Sequence, residues 1–443
     1  MRFAGGRAAV PVLFILLASP LLRAQPKTPS PSNAEGLVSS YIERYFDMYP
    51  TRATEAGRHD RDSLLEDYSA PRVAAWIEVN RRTLALIGPA LKTASFDDRL
   101  DLSVLRAHIE RELLDLEALH RRERDPLFWT APLSNATVFL LVRDDLKRDE
   151  ALKAARQRVS LIPLLARTAK EVFEAADLTR VAPEHARLAA AQASSLARFY
   201  AEGFAQAFPQ GDREAVEREA QFASLSLEDL ATTLRSVAKS ASGRAQLGSA
   251  YAEVFRVGTG LAEPPAAVLA RAERALTAKR REVAAYARSV FAQVTGTTEA
   301  PPAKDDEVIR RAFAAIDDDR DPDLDTYVAG WKRNTVDVER FVRGHKVMTL
   351  KDPLTLKIDV SPAYFTGQSV GGVYAAGPWS PDASTILFLP VPRTGASPDE
   401  AAAFYRDFNR GFNRMIVAHE LIPGHYTQLK YAAHHARKIR ALF

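Results

Sequence analysis

The chain has 443 residues, 47% of them hydrophobic and 26% charged, with 26 Pro, 21 Gly and no Cys. These proportions exclude disordered, collagenous and disulfide-stapled classes and supply enough apolar material for two or three globular cores. The formal charge is +4; Arg2, Arg7 and Arg23 contribute three of those charges within the first 24 residues, where no acid offsets them, which leaves +1 for the remainder and no electrostatic support for a nucleic-acid partner.

Met1 to Ala24 has the layout of a secretory signal: a basic start, an uncharged run from Ala8 to Ala18, and Leu22-Arg23-Ala24 at the cut. The apolar run holds Pro11 and is shorter than the roughly 18 to 20 residues needed to cross a bilayer. The expectation is a cleaved signal over residues 1–24 and an exported chain, periplasmic or extracellular, without membrane contact after cleavage. Residues 25–33 form a Pro/Ser/Lys spacer. Helical periodicity then dominates residues 34–294, including Glu150 to Ala175, Pro183 to Ala207 and Ser226 to Val257. It is clearest from Ala266 to Phe291. There Leu269, Leu276, Val283 and Val290 stand seven apart, predicting a core helix that packs this stripe on its neighbours; Lys279 interrupts the second seam a coiled coil would need.

Residues 295–306 (TGTTEAPPAKDD) read as a linker, and residues 307–443 as a second region with short strands at Val347 to Val360 and Ser384 to Val391. The acidic stretch Asp317 to Asp325 lacks the glycine and glutamate of a calcium loop, with Leu324 and Gly330 at those positions, and reads as a solvated connector. The basic clusters RRER (Arg121 to Arg124) and KRR (Lys279 to Arg281) read as solvated helix faces. Ser397-Pro398-Asp399-Glu400 announces a helix with an N-cap, a first-turn proline and a capping-box glutamate. A further helix carries Phe412 to Glu420, with a joint near Gly411. The fold class is mainly α: a multi-helix scaffold with a small β element next to the last motif-bearing helix.

That helix ends in Met415-Ile416-Val417-Ala418-His419-Glu420-Leu421-Ile422-Pro423-Gly424-His425. Two histidines four apart stand about 40° from each other on a helix and converge on one metal; six apart they stand about 240° apart and diverge. Pro423 cannot return an N–H to the carbonyl of His419, and Gly424 tolerates backbone angles closed to other residues, so the spacing predicts a local unwinding that swings His425 back toward His419. Ligating nitrogens sharing one tetrahedral zinc would lie about 3.3 Å apart. Glu420 beside the first histidine suits a general base. The competing reading is a core histidine and a helix-end histidine with Pro-Gly merely ending the helix.

The segment resembles the H-E-x-x-P-G-H signature of the bacterial domain-of-unknown-function 885 family, with His419, Glu420, Pro423, Gly424 and His425 all matching. Weaker likeness runs through Pro50 to Ser69 and Tyr364 to Pro392. The resemblance implies a zincin-like fold and a zinc metallopeptidase with His419 and His425 as metal ligands, Glu420 as catalytic base and a peptide substrate, the strand near Ser384 to Val391 holding it by edge pairing. Members continue into an E-G-W-A-L-Y type motif whose Glu is the third ligand. None of Trp76, Trp129, Trp331 or Trp379 follows Glu-Gly, so the third protein ligand is expected beyond residue 443, the catalytic region reads as partial, and residues 1–443 alone are expected to hold zinc poorly. His434 and His435 read as solvated helix residues rather than replacements.

Two other readings come from different classes: a non-catalytic helical binding protein with a decayed site, and a serine hydrolase using Ser369 in Gly367-Gln368-Ser369-Val370-Gly371, although no helix follows promptly as that motif requires. Tyr364 and Tyr374 are the substrate-binding candidates, as carbonyl stabilisers. The sequence leaves the oligomeric state open.

Overall fold

The computed structural model describes residues 33–361, 372–392 and 395–443. The predicted signal segment, Tyr364 and Ser369 lie outside the described residues.

Nine helices build most of the first core, α1 (Ala34–Met48), α2 (Pro50–Glu55), α3 (Ala70–Leu91), α4 (Phe96–Leu113), α6 (Leu127–Val142), α7 (Arg148–Val159), α8 (Ile162–Glu174), α9 (Pro183–Arg198) and α10 (Arg213–Ser240), with the single turn α5 (Arg121–Arg124) outside it. Local chemistry starts several of them. Asn33 caps α1 by accepting from Gly36 N at 2.8 Å, and Ser95 caps α4 ahead of Asp97 and Asp98 in its first turn. Ala186, Ala189 and Ala193 of α9 are fully buried against Ala220 and Ala223 of α10, and these small side chains let the two helices approach closely. Tyr41, Phe46, Trp129, Phe173 and Tyr200 fill the larger gaps.

Beyond α11 (Tyr251–Thr259), α12 (Pro265–Thr295) and α13 (Asp305–Asp317) form a hairpin with its own small core of Ala284, Ala287, Phe291, Val308 and Ala312. The stripe expected to pack is exposed: Leu269 and Leu276 are 60% and 61% accessible, and Val283 is exposed beside them. This corrects the core-helix expectation. The helix is 31 residues long but its partner α13 is only 13, so only the C-terminal half of α12 is covered.

The second region packs α14 (Leu324–Gly344) against a three-stranded sheet and three further helices, α15 (Pro398–Asp407), α16 (Arg410–Glu420) and α17 (His425–His435), before a last short helix, α18 (Lys438–Leu442). The strands are β1 (Leu356–Val360), β2 (Gly372–Tyr374) and β3 (Thr385–Leu389), in the order β1-β3-β2. β3 runs parallel to β1, with Ile358 opposite Leu387, and antiparallel to β2, with Val373 opposite Leu387. All five of its residues are buried. Because β3 is hydrogen-bonded on both sides, it has no free edge for a peptide, which corrects the edge-pairing role expected for Ser384 to Val391. The predicted Val347 to Val360 strand shortens to β1.

The capping box at the start of α15 forms as expected: Ser397 N donates to Glu400 Oε2 at 2.7 Å, and Glu400 N donates to Ser397 Oγ at 3.3 Å. The chain then returns to the first core, where Ile439 is buried and Arg437 and Arg440 reach Asp101 of α4. No helix among the described residues is long and apolar enough to cross a membrane.

Candidate metal centre

The acidic stretch before α14 anchors the motif helix. Arg410, the first residue of α16, donates its backbone N–H to Asp319 O at 2.9 Å and its Nε to Asp321 Oδ1 at 3.0 Å. Asn409 caps the helix through Phe412 N at 2.9 Å and donates from Nδ2 to Asp317 Oδ1 at 3.1 Å. Asp321 is only 2% exposed. The solvated-connector reading is therefore corrected: three aspartates of the run clamp the start of α16. Further along, Val417 and Leu421 are fully buried in the second core.

The motif does not unwind within one helix; it divides two. Helix α16 stops at Glu420, where Leu421 takes φ −114° and ψ −85°, and α17 opens at His425. The freed carbonyl of Leu421 accepts from both the backbone N and Oγ1 of Thr427 at 3.2 Å, so the break leaves that group bonded. Gly424 makes the turn sterically feasible: a Cβ there would stand 1.8 Å from His419 O and 2.6 Å from Ala418 O. Any side chain at 424 would push the two helix ends apart. On the far side, Tyr426 is buried and accepts from Thr355 N at 3.1 Å, while buried Lys430 donates to Thr355 Oγ1 and Pro381 O, each at 2.6 Å. Burial holds the Lys430 amine below the ordinary lysine range. Both helices are thus fixed to the sheet from below.

This turn brings the predicted residues together. The rings of His419 and His425 have centroids 4.8 Å apart at 84°, and His419 Nε2 lies 4.0 Å from Glu420 Oε1. One donor atom from each of the three residues lies within 4.8 Å of the others, and no other group of three such residues converges this way among the described residues. A shared tetrahedral ion needs donors about 3.3 Å apart, a closure of at most about 1.5 Å that χ rotations of exposed imidazoles can supply. His419 has 62% of its side chain exposed, and neither imidazole is tied to another protein group by a hydrogen bond among the described residues. The donor set fits zinc chemistry.

The remaining candidates fall elsewhere. His434 and His435 are outside the donor group; His434 is mostly covered, its Nε2 3.5 Å from Asp382, which corrects its solvated reading. Tyr374 lies in β2 with its ring against Phe139 and Phe388, centroids 5.7 and 5.5 Å away, in the packing between sheet and α6. Arg122 of the RRER cluster is also less solvated than expected: it donates to Tyr68 O at 2.8 Å and lies over Trp129.

Sequence reasoning missed a buried polar network beneath the turn after α2. His59 Nδ1 sits 2.8 Å from Asp62 Oδ2, and its Nε2 is 3.4 Å from Asp145, which Arg143 also contacts. Fully buried Arg158 donates to Leu64 O, Ala136 O and Thr54 Oγ1. The two carboxylates push His59 up to about 9. This turn docks on the loop before β3: Trp379 N donates to Ala56 O at 2.9 Å, and a Cβ on Gly377 would stand 2.1 Å from Ala56 C. The only signal in the sequence was the charge density of Arg58-His59-Asp60-Arg61-Asp62 between apolar helices.

A family model described as bacterial protein of unknown function (DUF885) matches residues 50–443. The chain belongs to the DUF885 family. Solved structures share the fold at low identity: a candidate lipoprotein of unknown function from Shewanella oneidensis superposes with a TM-score of 0.69 at 17% identity, over 93% of this chain and 74% of that one. A second, from Colwellia psychrerythraea, gives 0.66 at 13% identity, over 92% and 74%. No curated protein matches.

Proposed function

We propose that this DUF885 protein is an exported, zinc-dependent peptidase whose site is built on His419, Glu420 and His425. The observation that carries this reading is the convergence of three donor atoms within 4.8 Å from residues six apart in sequence, at a turn only glycine allows. A bound zinc ion would polarise the scissile carbonyl and lower the pKa of the attacking water. His419 and His425 would hold it as neutral imidazoles, each offering one ring nitrogen. Glu420, 30% exposed and 4.0 Å from His419, is placed to take a proton from the attacking water and deliver it to the leaving amine. With Glu420 in that role two protein ligands remain, and a third completes a catalytic site of the usual composition. Export is supported by the signal-like start and by the candidate lipoproteins that share the fold.

The test measures metal content and peptide hydrolysis on the purified protein. One zinc per chain, loss of hydrolysis with a chelator, recovery with added zinc, and at least about 100-fold loss of kcat in Glu420→Gln with zinc retained are expected. Hydrolysis untouched in Glu420→Gln, or no zinc in any preparation, would overturn the reading.

A further inference from the structure

His425 is the first residue of α17, so the rotation of that helix about its own axis sets where the imidazole stands. A side chain reaches about 5–6 Å from a helix axis, and a rotation of about 10° carries its tip by about 1 Å. A binding constellation tolerates about 0.5 Å, so α17 has to be held to within about 5°. The buried contacts of Tyr426 and Ala433 are apolar and non-directional, and do not by themselves fix an angle.

Lys430 supplies the direction. It stands five positions on, about 140° around the helix from His425, and is 4% exposed. Its Nζ donates to Thr355 Oγ1 and Pro381 O at 2.6 Å and to Ala383 O at 3.2 Å, so the three N–H groups of the ammonium meet three neutral oxygens. For stability alone this is a costly filling, because a methionine of similar length would occupy the space without desolvating a charge. What the lysine adds is orientation. Thr355, immediately before β1, receives it: its N–H donates to the Tyr426 hydroxyl at 3.1 Å, its own hydroxyl donates to Ala383 O at 3.3 Å, and its carbonyl accepts from Thr385 N at 2.8 Å. One residue thus joins β1, β3 and α17. The strands are in turn tied to the first region by Asp144, between α6 and α7, which accepts from Lys357 Nζ at 2.6 Å and Ser384 N at 3.0 Å. Tyr431 also donates to Thr349 O at 2.8 Å, at an exposed position where water competes.

We propose that Lys430 and Thr355 are positioning residues of the metal centre: their hydrogen bonds fix the rotation of α17 and so bring His425 to face His419. The assignment rests on the peptidase reading and adds the residues that hold one of its ligands in place. Both act through His425 and neither touches the ion or the substrate.

Two readouts test this, one with metal and one without. Zinc affinity from chelator competition should fall about 10- to 100-fold in Thr355→Val and in Lys430→Met, the range for losing a group that orients a ligand, and should recover in Thr355→Ser. In metal-free protein with isotope-labelled histidine, the nuclear Overhauser contact between the rings of His419 and His425, centroids 4.8 Å apart, should weaken about threefold in the same two variants, as a displacement of about 1 Å requires. Phe291→Ala, in the separate core of α12 and α13, controls for lost stability and should leave both readouts as in the wild type. Unchanged zinc affinity in folded Thr355→Val and Lys430→Met, or an unchanged ring contact, overturns the inference. If Lys430→Met does not fold, Thr355→Val and Thr355→Ser decide. Zinc absent from the wild type as well would instead overturn the peptidase reading, with the ring contact still deciding the positioning.

Discussion

Replacing Gly424 by alanine tests the geometry on which the metal centre depends. The added Cβ would stand 1.8 Å from His419 O and 2.3 Å from His419 C, whereas real Cβ atoms keep about 3.0 Å or more, so the backbone must open by about 1.2 Å. The clash is with backbone rather than a flexible side-chain end, so it cannot be relieved by a rotamer change. Opening the turn carries His425 away from His419, adding to the closure, at most about 1.5 Å, that the donors make to share an ion. Disturbing a group that merely orients a ligand costs roughly 10- to 100-fold in metal affinity; displacing the ligand should cost at least the upper end of that range. Overpacking should lower stability by about 1–3 kcal/mol.

Competition with a chromophoric chelator gives the zinc affinity of the wild type, Gly424→Ala and the control Gly211→Ala, while thermal melts followed by circular dichroism give stability. Gly211 has open space around its ideal Cβ and should behave as wild type in both assays. Zinc affinity in Gly424→Ala within threefold of wild type, with the fold intact, would refute the claim that the close approach of residues 419 and 424 assembles the site. Aggregation alone would not decide the matter, so the melt is read alongside.

Two histidines predict a stability maximum near pH 6.5. His59, raised to about 9, contributes stability that is fully present below its unfolded pKa of about 6.5 and is lost as pH climbs through 9, at most about 3 kcal/mol. His108, lowered to about 3 by burial, contributes stability present above about 6.5 that is lost as pH falls toward 3. Urea unfolding at stepped pH should therefore show the alkaline limb flattened in His59→Gln and the acid limb shallower in His108→Phe; unchanged limbs would contradict both assignments. Arg410→Gln leaves buried Asp321 without its cation and should cost about 1–3 kcal/mol, with weakened zinc binding because α16 loses its anchor. On α12, Leu276→Gln should change stability by no more than about 0.5 kcal/mol, whereas Phe291→Ala should cost about 3–5 kcal/mol; a large effect of the first would restore the core-helix reading.

What could be read from the sequence was set by how locally each feature is determined. The capping box at Ser397 involves residues three apart, and the consequence of Pro423-Gly424 for His419 and His425 follows from helix geometry over six positions. Both could be worked out without knowing any distant partner. The form of the break was less legible: proline and glycine allow an unwound turn or a full stop, and the choice fell to Thr427, which bonds the freed Leu421 carbonyl, and to the buried anchors Tyr426 and Lys430.

The misread features depend on partners far along the chain. Asp321 looked solvated because its cation, Arg410, lies 89 residues away. His59 was invisible as a network centre because Asp145 belongs to a different helix connection, and the arginine that supports Thr54 is 104 residues beyond it. The stripe on α12 failed for a related reason: periodicity records which face could be buried, while burial requires a partner of matching length, and α13 ends too soon.

The same distant contacts link the first region to the core around the candidate site. The His59 turn holds Ala56 and Gly57 against the loop from Gly377 to Ser380, where Ser380 Oγ donates to Gly57 O at 3.0 Å. That loop leads into β3, whose Leu387 and Leu389 are buried in the core that also holds Val417, Leu421 and Tyr426. Substitutions in the first region that disturb this docking should therefore reach the metal centre through packing, without touching a ligand. His59→Gln read for zinc affinity at pH 6.5 makes the distinction: a weakened site with His419, Glu420 and His425 intact would show that the helical core positions the donors, and unchanged affinity alongside reduced stability would confine the network to holding the fold.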